Sequence, residues 1–212
     1  MTKILLCGIL LSLTAVPLIL SYVLKRKYRQ LTLQLQKQDD TSYYECMFFD
    51  FNNFCCKPHL INKEDCGENC SYTRLQRLLR YIGSAKKSIS MCVYMITLQQ
   101  VAKELAEASS RGVNVRVITD KTMGKTVPSQ SNLQFFKKNG ISYKTSPSVN
   151  EMMHHKYCLI DEKDPVGCKV FFGSLNLTCQ ALCKNFEAIC LTNNQEIIHR
   201  LSEEFEEMWA MF

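Results

Sequence analysis

The hydrophobic residues after position 72 switch repeatedly between helix spacing and strand spacing, and this switching restricts the fold more than any other feature of the chain. It predicts helices over Thr73–Ala85, Leu98–Ser110, Ser131–Asn139 and Asn194–Met211, and strands over Ser88–Ile96, Val113–Ile118, Ile141–Lys144, His155–Ile160, Lys169–Phe172 and Glu187–Leu191. Helices that alternate with strands, followed by a cluster of strands and a closing helix, are typical of an α/β sandwich. We therefore expect one central mixed β-sheet flanked by helices.

The N-terminal region has a different composition. Ile4–Leu24 is a stretch of 21 residues without a charge, and four basic residues follow it closely: Lys25, Arg26, Lys27 and Arg29. Such a stretch is long enough to cross about 30 Å of hydrocarbon as a helix. A cleaved secretory signal is the alternative, but the apolar part is longer than usual for one and no small-residue cleavage site follows it. We expect a transmembrane anchor over 1–24, a basic stalk over 25–44 and a globular domain over 45–212.

The basic residues after the anchor also predict its orientation. Positive charge is retained on the cytosolic side of a membrane, so the C-terminal bulk should face the cytosol. A short anchor of this kind suits either the endoplasmic reticulum or the mitochondrial outer membrane. The 12 cysteines are then expected to be reduced thiols or metal ligands rather than disulfides.

One stretch near the C-terminal third, MHHKYCLID, combines residues that can do chemistry. Side chains alternate along a strand, so His154 and Lys156 should share one face while His155 takes the other. After the next strand, Gly-Ser-Leu-Asn supplies the hydrogen-bonding groups of Ser174 and Asn176. An imidazole surrounded by lysine, serine and asparagine is a suitable receptacle for a tetrahedral oxyanion such as a phosphodiester.

With these residues the chain resembles the phospholipase D superfamily. The signature is His154-x-Lys156-x4-Asp161 followed by Gly173-Ser174-x-Asn176. Further stretches, among them SISMCVYMIT, RGVNVRVITD and NFEAICLT, are similar to the mitochondrial phospholipase D/Zucchini branch, so the resemblance covers nearly the whole chain. Members of this branch are linked to the mitochondrial outer membrane and to two activities, cardiolipin hydrolysis and endonucleolytic processing of piRNA precursors.

The resemblance implies roles for the individual residues. His154 would attack phosphorus and form a phosphohistidine, while Lys156, Ser174 and Asn176 would bind the non-bridging oxygens. Glu187 would hydrogen-bond the other ring nitrogen of the nucleophile. Asp161 belongs to the catalytic motif, but strand alternation places it opposite His154, which favours a role in positioning the motif.

A single His-x-Lys motif also implies a partner. The reaction needs a general acid for the leaving oxygen, and relatives with two motifs take it from the second histidine. This chain has one such motif, so the acid would come from another copy. We expect an obligate homodimer with a shared active site.

The related enzymes carry a structural zinc site, which we expect within a small insertion at about 46–92. Alignment with them implies the ligands Cys55, Cys66 and Cys92, with no match for the third ligand, a histidine. Cys70 can replace it and give an all-cysteine site, and His59 is the other candidate. No catalytic metal is implied.

Three functions follow from these features. The net charge of +6, with Lys121, Lys125, Lys137, Lys138 and Lys144, favours a single-strand endoribonuclease of piRNA biogenesis. The anchor favours the alternative, a cardiolipin hydrolase that releases phosphatidic acid. A catalytically inactive membrane tether is the third possibility, which the intact motif argues against. The absence of a long apolar lid near the motif leads us to expect the nuclease first.

Overall fold

The computed structural model describes residues 16–32 and 42–212. Residues 16–32 form a helix, α1, which belongs to a separate unit from the compact unit that begins at Tyr43. Most of the expected anchor, including residues 1–15, lies outside the described residues, and so does much of the expected stalk. Within the described ranges, no helix combines the length and the apolar character needed to cross a membrane.

The compact unit contains seven strands and six further α-helices within the described residues. The strands are β1 (Tyr44–Phe49), β2 (Ser88–Val93), β3 (Asn114–Thr119), β4 (Ser142–Thr145), β5 (Lys156–Ile160), β6 (Lys169–Gly173) and β7 (Glu187–Thr192). The helices are α2 (Lys57–Asn62), α3 (Ser71–Gly83), α4 (Gln99–Ser110), α5 (Val127–Lys138), α6 (Cys179–Lys184) and α7 (Gln195–Met211). Short 3-10 helices cover Phe51–Cys56 and Met123–Lys125.

The strands form one mixed sheet in the order β1-β7-β6-β5-β2-β3-β4. β2, β3 and β4 run parallel, as expected for strands connected by helices, whereas β5, β6, β7 and β1 pair antiparallel. The predicted central mixed sheet is therefore confirmed. The sequence patterns missed β1, α2 and α6.

Alternating side chains give the sheet two apolar faces, each with its own core. One face, with Met91 and Val117, packs against α3, α4, α5 and α6. The other face, with Cys92 and Leu159, packs against α7 through Phe205. The helices on both faces complete the predicted sandwich.

The pairing brings several strand ends to one edge of the sheet. β5 begins where β2 ends, since Lys156 pairs with Val93, and the antiparallel β6 ends beside the start of β5. Gly173, the last residue of β6, approaches β7 so closely that a Cβ atom there would collide with the carbonyl oxygen of Ala188. Only glycine allows this approach, which brings the residue after β6 next to the start of β7.

Candidate active site

His154 and Lys156 lie against the same aromatic ring at this edge of the sheet. The ring centroids of His154 and Tyr94 are 4.7 Å apart in an edge-on arrangement. The Lys156 ammonium lies 5.1 Å from the centre of the Tyr94 ring and donates a hydrogen bond of 2.7 Å to the backbone carbonyl of His154. Tyr94 therefore supports both groups. Tyr94 lies inside the strand predicted over Ser88–Ile96, and only the end of β2 at Val93 in the structure places it at the site edge.

Lys156 is held in a desolvated position. Its exposed fraction is only 9%. Burial lowers the pKa of the Lys156 ammonium, and the negative charge of Glu187 raises it in part. The lysine thus supplies a positive charge in a poorly hydrated place, where it attracts a phosphate oxygen strongly.

The start of β7 holds the carboxylate of the site. The Glu187 carboxylate accepts hydrogen bonds from the Ser174 hydroxyl and, at 2.9 Å, from the Asn185 side chain. The Ser174 hydroxyl also accepts the backbone N–H of Ala188 at 3.1 Å. Within the described residues, Glu187 is thus bonded to Ser174 and Asn185 rather than to the imidazole that the resemblance implies.

Asn176 lies at the same edge. The next residue, Leu177, donates its backbone N–H to the carbonyl of Met95 at 3.1 Å, which ties this loop to the segment after β2. The side-chain oxygen of Asn176 is buried and has no hydrogen-bond partner among the described residues. A buried polar atom of this kind is costly unless a ligand or water satisfies it.

His155 belongs to the opposite face, as strand alternation predicts. Its Nε2 atom lies 3.3 Å from the carboxylate of Glu204 on α7. Its ring packs edge-on against Tyr157, with centroids 5.8 Å apart. The two adjacent histidines therefore have different neighbours, and only His154 shares Tyr94 with the lysine.

Asp161 does not join this group. It follows the last residue of β5, five residues from Lys156, which is roughly 16 Å along a strand. Its carboxylate accepts the backbone N–H groups of Lys86, Lys87 and Ser88 at 3.0, 2.7 and 2.9 Å. These bonds fix the start of β2 to the end of β5, in agreement with a positioning role.

A second cluster gathers four metal-ligating side chains: Cys56, His59, Cys66 and Cys70. Their ligand atoms all lie within 4.8 Å of one another. The Sγ atoms of Cys56 and Cys66 are 3.8 Å apart, and Cys70 Sγ lies 3.4 Å from His59 Nδ1. Two thiolates bound at 2.3 Å to a tetrahedral zinc would be about 3.8 Å apart. Three thiols and one imidazole at these separations fit a zinc ion.

The cluster corrects two of the four expected ligands. Cys66 and Cys70 take part in the cluster. Cys55 is exposed, and its thiol lies 3.4 Å from the carbonyl of Asn52. The 3-10 helix directs the side chain of the next residue, Cys56, inward instead. Cys92 lies in β2 on the sheet face that packs against α7, whereas Cys56 and Cys70 belong to the other core. His59, the second candidate for the third position, is part of the cluster.

A cleft of about 810 Å³ is lined by both adjacent histidines, His154 and His155. Much of its lining is apolar and comes from the loop before β5 and the end of α7: Met152, Met153, Met208, Met211 and Phe212. Two carboxylates, of Glu151 and Glu204, also line it. The cleft can therefore accept a flexible apolar chain next to the imidazole.

A protein-family model and several curated proteins match this chain over most of its length. Residues 78–209 match the family described as cardiolipin synthase, PLD-like domain. The mitochondrial cardiolipin hydrolase of Danio rerio is 33% identical over 168 residues, which cover 78% of this chain and 66% of that protein. The protein of the same name from Chlamydomonas reinhardtii is 29% identical over 172 residues, which cover 79% of this chain and 74% of that protein.

Solved structures share the fold. The phospholipase D family member Nuc from Salmonella typhimurium superposes with a TM-score of 0.62 and 23% identity, over 80% of this chain and 95% of Nuc. NucT from Helicobacter pylori gives a TM-score of 0.57 and 22% identity, over 79% of this chain and 97% of NucT. The family match and the curated relatives show that the chain belongs to the phospholipase D-like family and is a phosphodiester hydrolase.

Proposed function

We propose that this chain is a membrane-associated phospholipase that hydrolyses cardiolipin to phosphatidic acid through a phosphohistidine intermediate. The apolar cleft beside His154 carries the proposal, because a lipid needs room for acyl chains next to the phosphodiester that is cut. The relatives named mitochondrial cardiolipin hydrolase support it. This reverses the order expected from the sequence, in which the endoribonuclease came first.

The positions of the lysines also favour the lipid. Lys137 and Lys138 end α5, which starts near the site and runs to the opposite edge of the sheet. The ammonium of Lys144 lies 5.1 Å from the centre of the Trp209 ring on α7. Of the five lysines expected to bind RNA, Lys137 and Lys138 therefore lie away from the site edge, and Lys144 is held against α7.

The proposed reaction has two steps. The imidazole of His154 attacks phosphorus, a nitrogen–phosphorus bond forms, and the bond to the leaving alcohol oxygen breaks as that oxygen takes up a proton. Water then attacks phosphorus, gives up a proton, and releases the imidazole. Lys156 and Asn176 hold the non-bridging oxygens. Glu187 accepts the hydrogen bond from Ser174 and thereby fixes the serine beside the start of β7.

The proton for the leaving oxygen comes from a second copy of the chain in this proposal. The other three histidines have other surroundings: His59 lies in the cysteine cluster, His155 pairs with Glu204, and His199 pairs with Glu203 at 3.4 Å. We therefore propose a second copy's histidine at position 154 as the general acid. A homodimer with the two sites facing each other across a two-fold axis supplies it.

The proposed location is the mitochondrial outer membrane, with a single N-terminal span and the catalytic unit facing the cytosol. The names of the relatives support the organelle. The uncharged stretch Ile4–Leu24 and the basic residues after it support the span and its orientation.

The cysteine cluster is proposed to hold a structural zinc ion. Cys56, His59, Cys66 and Cys70 would be its ligands. The ion would fix α2 and the start of α3, since Cys70 is the N-cap residue of α3. The phosphohistidine reaction itself needs only protein side chains, so no step depends on the metal.

Replacing each of the adjacent histidines separates their roles. His154→Asn should lower kcat for the soluble diester bis(p-nitrophenyl) phosphate by about 1000-fold or more, because the nucleophile is lost. His155→Asn is the matched control and should keep kcat within a few-fold. Equal losses in both variants would contradict the assignment.

The pH dependence of the reaction tests the environment of Lys156. Burial lowers the pKa of Lys156 and Glu187 partly restores it, so the protonated lysine is lost at a lower pH than usual. Glu187→Gln removes the restoring charge, and the alkaline limb of kcat/KM should move to lower pH. Glu203→Gln on the exposed face of α7 serves as the control. An alkaline limb that stays in place or moves upward in Glu187→Gln would show that this interaction is absent.

A comparison of substrates decides between lipid and RNA. The full-length protein should release phosphatidic acid from vesicles containing cardiolipin, and Met211→Asp should lower this rate about tenfold or more while sparing the soluble diester. Val166→Asp is the matched control, because Val166 is 90% exposed in the loop between β5 and β6. Cleavage of single-stranded RNA without any release of phosphatidic acid would overturn the proposal in favour of the endoribonuclease.

Metal analysis tests the corrected ligand set. The purified protein should contain about one zinc per chain, and Cys56→Ser should lose it together with thermal stability. Cys55→Ser, one residue away, should keep both. A wild-type protein without zinc, or loss of zinc in Cys55→Ser alone, would reject the site.

A further inference from the structure

The backbone of His154 is not held by the sheet. β5 begins at Lys156, so His154 precedes the strand pairing. On its C-terminal side, the carbonyl of His155 accepts the backbone N–H of Tyr94 at 3.1 Å. On its N-terminal side, the backbone N–H of Met153 donates to the carboxylate of Asp120 at 3.2 Å. These two hydrogen bonds hold the backbone on either side of His154.

Asp120 is itself firmly placed. It follows the last residue of β3 and is 3% exposed. One oxygen of its carboxylate accepts the backbone N–H groups of Thr122 and Met123 at 2.8 and 3.0 Å, which leaves the other oxygen to Met153. Its backbone carbonyl accepts the N–H of Gly124 at 2.8 Å. The orientation of the carboxylate is thereby fixed by its own loop.

A buried serine extends this arrangement to the next strand. Ser146 follows β4, and its hydroxyl oxygen accepts the backbone N–H of Lys121 at 3.0 Å. Two acceptors share the reach of its single proton, the Asp120 carboxylate at 3.5 Å and the carbonyl of Ser148 at 3.4 Å. Within the described residues, no lysine or arginine forms an ion pair with Asp120. The buried carboxylate is therefore compensated mainly by the backbone N–H donors of Thr122, Met123 and Met153, which all lie in loops at the site edge.

We propose that Asp120 is a positioning residue that fixes the backbone before His154 and so holds the imidazole at the distance and angle needed for attack on phosphorus. The inference rests on the proposed function, in which His154 is the nucleophile. Asparagine at position 120 has one acceptor oxygen, so it cannot accept both from Met153 and from the Thr122–Met123 loop. A misplacement of about 1 Å at the nucleophile is enough to cost about 100-fold in rate.

The kinetic test uses Asp120→Asn in the full-length protein with bis(p-nitrophenyl) phosphate. We expect kcat to fall about 100-fold with KM unchanged, since substrate binding does not involve Asp120. Glu162→Gln is the control: Glu162 is a buried carboxylate that accepts from Ser88 and Ser90 at 2.6 and 2.9 Å near the opposite edge of the sheet. It should lower the melting temperature and leave kcat of the folded enzyme unchanged. An unchanged kcat in Asp120→Asn, or an equal loss in Glu162→Gln, would overturn the inference.

Amide hydrogen exchange gives a readout that does not depend on activity. In the wild-type protein the Met153 amide should exchange about tenfold or more slowly than those of Glu151 and Met152, and Ser146→Ala should weaken this protection. Equal exchange at the three positions overturns the inference even where Asp120→Asn fails to fold. A wild-type protein that cleaves no phosphodiester but protects Met153 would instead refute the proposed function.

Discussion

The antiparallel pairing of β5 with both β2 and β6 is the interaction on which the site depends. In an antiparallel pair, the start of one strand lies beside the end of the other. The start of β5 therefore lies beside the ends of β2 and β6, and near the start of β7. Tyr94, Lys156, Ser174 and Glu187 are thereby collected at one edge from distant parts of the sequence. Asp161 strengthens the same pairing from the other edge by binding the backbone at the start of β2.

Much of this architecture could be predicted from local patterns. Strand alternation separated His154 from His155, and the structure gives them different neighbours, Tyr94 and Glu204. The missed elements had weak patterns: in β1 only Met47 and Phe49 are buried, and α6 has six residues, too few for a clear helical period. β1 is stabilised by its pairing with β7, and α6 by packing into the core that contains Met91 and Val117.

The features that could not be predicted depend on contacts between distant segments. Cys56 rather than Cys55 faces the cluster because a 3-10 helix sets the direction of its side chain. The role inferred for Asp120 arises from groups in two loops, the one after β3 and the one between β4 and β5. The sequence suggested that five lysines form one basic surface. Two of them, Lys137 and Lys138, lie at the end of α5 that is remote from the site. The same topology places Met208 and Met211 of α7 in the cleft that His154 lines. For this reason we propose a lipid substrate rather than RNA.

The proposed reaction needs two histidines, and each chain supplies one of them. Wild-type chains and His154→Asn chains can be mixed after unfolding and refolded together, so that they assort at random. If both copies of His154 are required, activity follows the square of the wild-type fraction, and an equal mixture keeps about a quarter of the wild-type activity. A linear dependence, with about half of the activity retained, would show that one chain is sufficient and would contradict the account.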